Sequence, residues 1–213
     1  MQHMLKRFLL SLFVPLMVLT FTGCNGSSDD GPKGPITVLA MGDSNTRGFQ
    51  YPGVGPWTGH LRAMEPEWQV INSSVNGERA AGGRARLSGQ LNRHNPDVVV
   101  IMYGANNAIH GNIGAFENDI RAMINEVRSK EAIPVLANVL PMTQGRVIFQ
   151  GTVDNLNLIL ANLAREEKVV LVDLAREFRG DAATERFPDG LHPDEDGNRI
   201  IAAAVRERIR KAF

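Results

Sequence analysis

Four short clusters in this chain carry side chains suited to covalent chemistry: Gly42-Asp43-Ser44-Asn45, Asn76-Gly77, Gly104-Ala105-Asn106-Asn107 and Asp189-Gly190-Leu191-His192. Between them they offer a hydroxyl, an imidazole, carboxylates, side-chain amides and glycine backbone. A serine hydroxyl is a weak nucleophile near neutral pH and reacts when a neighbouring base takes its proton. Imidazole is the side chain best suited to accept that proton and return it. Taken singly, each cluster also has a plain structural reading. Asp43 to Thr46 is the kind of run that caps a helix or makes a turn. Gly77 suits a turn with positive φ. Asn106 suits a loop that ends a strand, and His192, just before Pro193, suits the start of a helix. Residue type alone leaves these alternatives open.

The elements around the clusters narrow the choice. Nearly continuous apolar, β-branched runs at 36–41, 69–72, 98–102, 135–140 and 169–172 read as strands covered on both faces. Helical patterns lie between them at 57–64, 78–92, 113–130 and 153–167. A last helix is expected over 194–211, with Pro193 near its first turn and Asp194, Glu195 and Asp196 at its positive end. Strict alternation of strand and helix implies parallel strands joined by right-handed crossovers. The expected fold is therefore α/β, a three-layer α/β/α sandwich around a parallel sheet of about five strands. Ligands of such sheets bind beyond the carboxyl ends of the strands. All four clusters fall in loops or at an element boundary, three of them shortly after a strand, where catalytic groups are commonly held.

Together the clusters resemble the four blocks of the SGNH/GDSL hydrolases, in the family's order and across nearly all of residues 36–213. The similarity is greatest to the compact thioesterase/arylesterase/lysophospholipase branch, in which Val70 to Gly77 and the later Gly83-Arg84-Ala85-Arg86-Leu87 also have counterparts. The resemblance implies a flavodoxin-like SGNH fold and a serine esterase. It implies Ser44 as nucleophile, His192 as general base and acid, and Asp189 as the carboxylate that orients His192. It further implies an oxyanion hole formed by the backbone N–H groups of Ser44 and Gly77 and the side-chain amide of Asn106. Asn107 stands where the family commonly has Asp, and no catalytic step is assigned to it. The Gly-x-Ser-x-Gly elbow of α/β-hydrolases is absent around Ser44, and the near adjacency of Asp189 and His192 also argues against that fold.

The scheme needs no metal, nucleotide or redox cofactor, and its expected partner is a small-molecule ester or thioester. The family resemblance covers thioesters, aryl esters, lysophospholipids and acetylated sugars, and the sequence does not select among them. A carbohydrate O-deacetylase, or a binding protein that kept the fold without turnover, are the alternatives. Specificity is expected from loops 47–56, 107–114 and 141–151, where Phe49, Tyr51, Met142, Ile148 and Phe149 either line an acyl site or anchor the loops. His60, His94 and His110 lack neighbouring ligand sets. Ser73 and Ser74 lack a motif partner. Arg79, Arg84 and Arg86 read as a solvated helix face, as do Arg206, Arg208, Arg210 and Lys211 at a helix end.

The start of the chain reads as an address. Lys6 and Arg7 precede a mostly apolar run over 8–22, short of the roughly 20 residues that span a bilayer, so 1–23 is expected to be a signal peptide. Phe21-Thr22-Gly23-Cys24 resembles the bacterial lipobox, with Phe where Leu is usual, and implies acylation at Cys24 and a membrane anchor. Cys24 is the single cysteine, which excludes an internal disulfide framework. Residues 24–35, rich in Gly, Ser, Asp and Pro, form the expected tether, and 36–213 a single domain. Asn25, not Asp, follows the cysteine, which favours the outer membrane or another envelope location. Lys+Arg and Asp+Glu both number 23, and loss of Lys6 and Arg7 leaves 21 basic residues against 23 acidic. A weakly acidic mature chain suits a monomer acting on small molecules better than a binder of nucleic acid.

Overall fold

The computed structural model describes residues 34–48, 53–111, 113–179 and 185–213. The proposed signal peptide, Cys24 and most of the tether lie outside the described residues. Five parallel strands, β1 (Thr37–Gly42), β2 (Gln69–Asn72), β3 (Val98–Met102), β4 (Ile133–Ala137) and β5 (Val170–Val172), form one sheet in the order 2-1-3-4-5. This is the flavodoxin-like order, whose ligand position is the switch point between β1 and β3.

Alternation along the strands divides the core between the two faces. Leu39, Met41, Val99, Ile101 and Leu136 pack against α3 (Ala80–His94), α5 (Phe116–Ser129) and α6 (Gln150–Glu166). Val38, Ala40, Val98, Val100, Val135 and Ala137 pack on the opposite side against α2 (Trp57–Met64) and α8 (Glu195–Arg210). Because both faces are covered, the strands carry almost no polar side chains, which is why they read as unbroken apolar runs.

Four short elements have no strong periodicity: α1 (Ser44–Arg47), α4 (Ala105–His110), a 3-10 helix (Gln144–Phe149) and α7 (Leu174–Glu177). Three of these, α1, α4 and α7, begin within three residues of a strand end.

Two boundaries differ from expectation for identifiable reasons. The fourth strand runs over Ile133–Ala137, not 135–140. After Ala137 the chain turns to side-chain partners. Val139 N–H donates to Asn157 Oδ1 (2.7 Å), and its carbonyl accepts from Asn157 Nδ2 (3.0 Å). Asn138 Nδ2 meanwhile donates to Asp173 Oδ1 at 2.8 Å. The third helix begins at Ala80, not at 78, because Gly77 has φ +73° and Glu78 is held in a turn by its N–H to Val75 O (3.2 Å).

Candidate active site

Ser44 opens α1 directly behind β1. Asp43 caps that helix, its Oδ1 accepting the Asn45 N–H at 2.9 Å. The loop that precedes α8 brings His192 to the same point. Ser44 Oγ lies 2.9 Å from His192 Nε2, and His192 Nδ1 lies 2.6 Å from Asp189 Oδ2. The other carboxylate oxygen of Asp189 accepts the backbone N–H groups of His192 (2.7 Å) and Leu191 (3.0 Å). Two bonds thus fix the imidazole ring, and two backbone bonds fix the carboxylate that holds it. Burial tends to raise the Asp189 pKa, but the His192 ring and the two backbone donors outweigh it and hold the carboxyl below its ordinary value. An ionised Asp189 stabilises Nδ1–H on His192 and leaves Nε2 to accept from Ser44.

The loop that bears Asp189 and His192 is tied to its surroundings. Thr143 N–H donates to Gly190 O at 2.9 Å, and Asp194 N–H to Arg186 O at 2.8 Å. Asn198, in the first turn of α8, accepts the Trp57 N–H (3.0 Å) and donates to Pro193 O (3.1 Å), which joins α2 to the end of the loop.

Gly77 and Asn106 come to the opposite side of Ser44 from the ends of β2 and β3. A cavity of about 280 Å3 brings Ser44, Gly77, Asn106 and His192 to one surface, with Ile109 and Leu191 as apolar neighbours. Asn106 Nδ2 lies 3.2 Å from Asp43 Oδ2 and 3.3 Å from the Glu78 carbonyl. Gly104, before Asn106, has φ +138°, and a Cβ there would lie 2.3 Å from Val139 Cγ2. Glycine is therefore required for β3 to turn into α4. Asn107 Oδ1 accepts the Ala80 N–H at the start of α3, 3.2 Å away. A carboxylate at this position would accept the same bond, so the amide retains the contact without the charge.

Asp43 is 2 % exposed, and burial pushes its carboxyl pKa up to about 7, against the opposing hydrogen bonds from Asn45 and Asn106. Sequence reasoning gave it no role beyond a turn.

The remaining sequence candidates are placed as follows. Ser73 Oγ donates to Gln90 Oε1 (2.7 Å), and the Ser74 hydroxyl bonds to Asn72, so neither faces an imidazole. Met142 belongs to the core, Phe149 packs against it half-buried, and Ile148 is 78 % exposed; Phe49 and Tyr51 lie outside the described residues. The apolar neighbours of Ser44 are instead Ile109 and Leu191.

The two proposed solvated arginine faces need correction. Arg86 turns inward to a bidentate pair with Glu78, whose carboxylate position it completes. Arg206 and Arg210 converge on the buried Glu65 at 2.5 and 2.8 Å, joining α8 to the end of α2. Glu65 lies more than 140 residues from its arginines, whereas Glu78 is only eight residues from Arg86 but precedes the helix, so helix periodicity pairs neither acid with its partner.

A hydroxyl, an imidazole and a carboxylate in line, in a cavity shared with Gly77 and Asn106, form an arrangement able to attack an acyl carbon. Comparison with known proteins agrees with this chemistry. Residues 40–200 match the GDSL-like Lipase/Acylhydrolase family, and the chain belongs to it. It is 28 % identical over 204 residues to the thioesterase 1/protease 1/lysophospholipase L1 of Escherichia coli K12, covering 93 % of this chain and 90 % of that protein. It is 29 % identical over 180 residues to an arylesterase of Vibrio mimicus, covering 82 % of this chain and 88 % of the relative. The lipase/acylhydrolase of Enterococcus faecalis shares the fold, with a TM-score of 0.74 at 24 % identity over 83 % of this chain and 96 % of that one. The protein is thus a hydrolase of the GDSL esterase/acylhydrolase family.

Proposed function

We propose that this hydrolase cleaves carboxylic esters or thioesters of small or medium acyl groups, with Ser44 as nucleophile. The observation that carries the proposal is the unbroken chain from Ser44 Oγ through His192 to Asp189, at 2.9 and 2.6 Å. Ser44 Oγ bonds to the acyl carbon while its proton passes to His192 Nε2. The carbonyl oxygen becomes an oxyanion facing the N–H groups of Ser44 and Gly77 and the amide of Asn106. As the tetrahedral species collapses, His192 returns the proton to the departing alcohol or thiol. Water, deprotonated by the same imidazole, then attacks the acyl carbon; the Ser44 Oγ–carbon bond breaks, His192 returns the proton to Ser44 Oγ, and the carboxylic acid leaves.

The apolar faces of Ile109 and Leu191 beside Ser44 suit an acyl chain, and the thioesterase and arylesterase relatives support the ester class. We extend the reading to the start of the chain: residues 1–23 direct export, Cys24 carries the lipid, 24–35 tether the domain 36–213 in the cell envelope. Among the described residues no helix is long and apolar enough to cross a membrane.

The test is release of p-nitrophenol from acetate, butyrate and octanoate esters. Turnover should fall on the order of 10^6-fold in Ser44→Ala. Undiminished turnover in that variant would remove Ser44 as nucleophile, whereas turnover confined to acetate would move the substrate class to O-acetyl esters. Cys24→Ser should release the protein from membranes at unchanged specific activity; a variant that stays membrane-bound contradicts the anchor.

A further inference from the structure

A buried polar cluster lies directly beneath the two loops that bear Gly77 and Asn106. The Glu78 carboxylate, its side chain 9 % exposed, accepts Arg86 Nε at 2.8 Å and Nη2 at 2.6 Å. The same carboxylate accepts the Tyr103 hydroxyl at 2.7 Å. Arg86 also donates to Tyr103 OH (3.1 Å), Ser73 Oγ (3.0 Å) and Met41 Sδ (3.7 Å). Tyr103 is 2 % exposed, and its ring lies so close to α3 that a Cβ on Gly83 would be 2.4 Å from its Cζ.

The positions of these residues in the chain give the cluster its meaning. Glu78 directly follows Gly77, and Tyr103 precedes Asn106 by three residues at the end of β3. The Tyr103–Glu78 bond therefore clamps the two loops together. A second link between them is the 3.3 Å contact from Asn106 Nδ2 to the Glu78 carbonyl. Apolar side chains of the same volume commonly fill such a space at equal or better stability. What an ion pair with a phenol adds is a fixed separation and orientation of the groups it joins.

We propose that Glu78, Arg86 and Tyr103 are positioning residues that set the spacing of two oxyanion donors, the Gly77 N–H and Asn106 Nδ2. This rests on the donor assignment proposed above. The cluster touches no substrate; it acts through the loops. Preorganised donors stabilise a developing oxyanion because they need no rearrangement when charge appears, and a small displacement forfeits that advantage.

A double-mutant cycle on the whole protein separates positioning from mere packing. Tyr103→Phe keeps the ring against Gly83 and removes the hydroxyl. It should lower kcat about tenfold, with KM changed less than about twofold, because the donors act on the transition state. Asn106→Ala alone should lower kcat on the order of 100-fold. In that background, Tyr103→Phe should change kcat by less than about twofold, since one of the two donors whose spacing it sets is gone. Glu78→Gln, which keeps the side chain's shape, should repeat this pattern. The same loss from Tyr103→Phe in both backgrounds, or no loss in either while Asn106→Ala remains impaired, would overturn the positioning role. Full activity in Asn106→Ala would instead overturn the donor assignment, and with it the positioning claim.

Discussion

The two walls of the cleft beside Ser44 are built in opposite ways. The wall bearing Gly77 and Asn106 stands at the switch point of the sheet, backed by β1 and β3 and by the buried Glu78–Arg86–Tyr103 cluster. Asp43 adds a further buried contact to Asn106 from below. The facing wall includes the 3-10 helix Gln144–Phe149, which has no fully buried residue and exposes Val147 and Ile148. It meets the loop that bears Asp189 and His192 through Thr143 N–H to Gly190 O and Gln144 Nε2 to Phe187 O, at 2.9 and 3.0 Å. The proposed oxyanion donors are thus held by redundant, largely buried hydrogen bonds, whereas the rim proposed to meet the rest of the substrate is a lightly tied surface segment. Damage to the braced side should therefore appear in kcat, and damage to the rim in selectivity between substrates.

Beyond the nucleophile itself, the largest expected effect lies on the loop that bears Asp189 and His192. Asp189→Asn preserves the size of the side chain but favours the wrong tautomer of His192, and should lower kcat about 10^4-fold at little change in KM. Steady-state kinetics checks this, and a loss confined to KM would make Asp189 a binding residue instead. Next comes a pH effect on the braced wall. The Asp43 carboxyl is raised from its ordinary 3.8 to about 7 in the fold, so between these values the unfolded chain loses a proton that the folded chain keeps. That contribution is fully present below about pH 4 and is lost as pH rises to about 7. In urea unfolding, the wild type should lose stability relative to Asp43→Asn as pH rises from about 4 to about 7. A constant difference would mean that Asp43 is not raised.

The smallest effect belongs to the rim. Arg146 is half-buried and lines the cavity with Ser44, and its guanidinium makes no hydrogen bond or ion pair among the described residues. Its stem packs beside Gly190, where a Cβ would be 3.4 Å from Arg146 Cγ. Arg146→Gln should lower kcat/KM for the anionic p-nitrophenyl hemisuccinate about fivefold more than for the butyrate ester, the worth of a partly exposed charge pair. Equal losses on both esters would remove any charge preference from this wall.

Much of this architecture was legible in the sequence because its signals are local. Covered parallel strands are apolar throughout, and Ser44, Asn106 and His192 stand in loops or at element boundaries set by that pattern. Register and support were not legible. Asn157 satisfies Val139 in place of a strand neighbour, and Arg86 meets Glu78 and Tyr103 through pairings that no periodicity reveals. Arg86 sits among arginines of a polar helix, and only the fold separates it from the solvated Arg84, whose side chain is 52 % exposed. Asp43 was hidden for the opposite reason: its capping of α1 is a sufficient local explanation for an acid that is also buried against Asn106.

The central claim is that Ser44, activated by His192, forms the acyl-enzyme. It is tested most directly by treating the protein with an alkyl fluorophosphonate, which phosphonylates activated serines, and locating the adduct by peptide mass spectrometry. A single adduct on Ser44, formed in the wild type and not in His192→Ala, is the predicted result. An adduct on Ser73 or Ser74 with Ser44 unmodified, or equal labelling of Ser44 without His192, would contradict it.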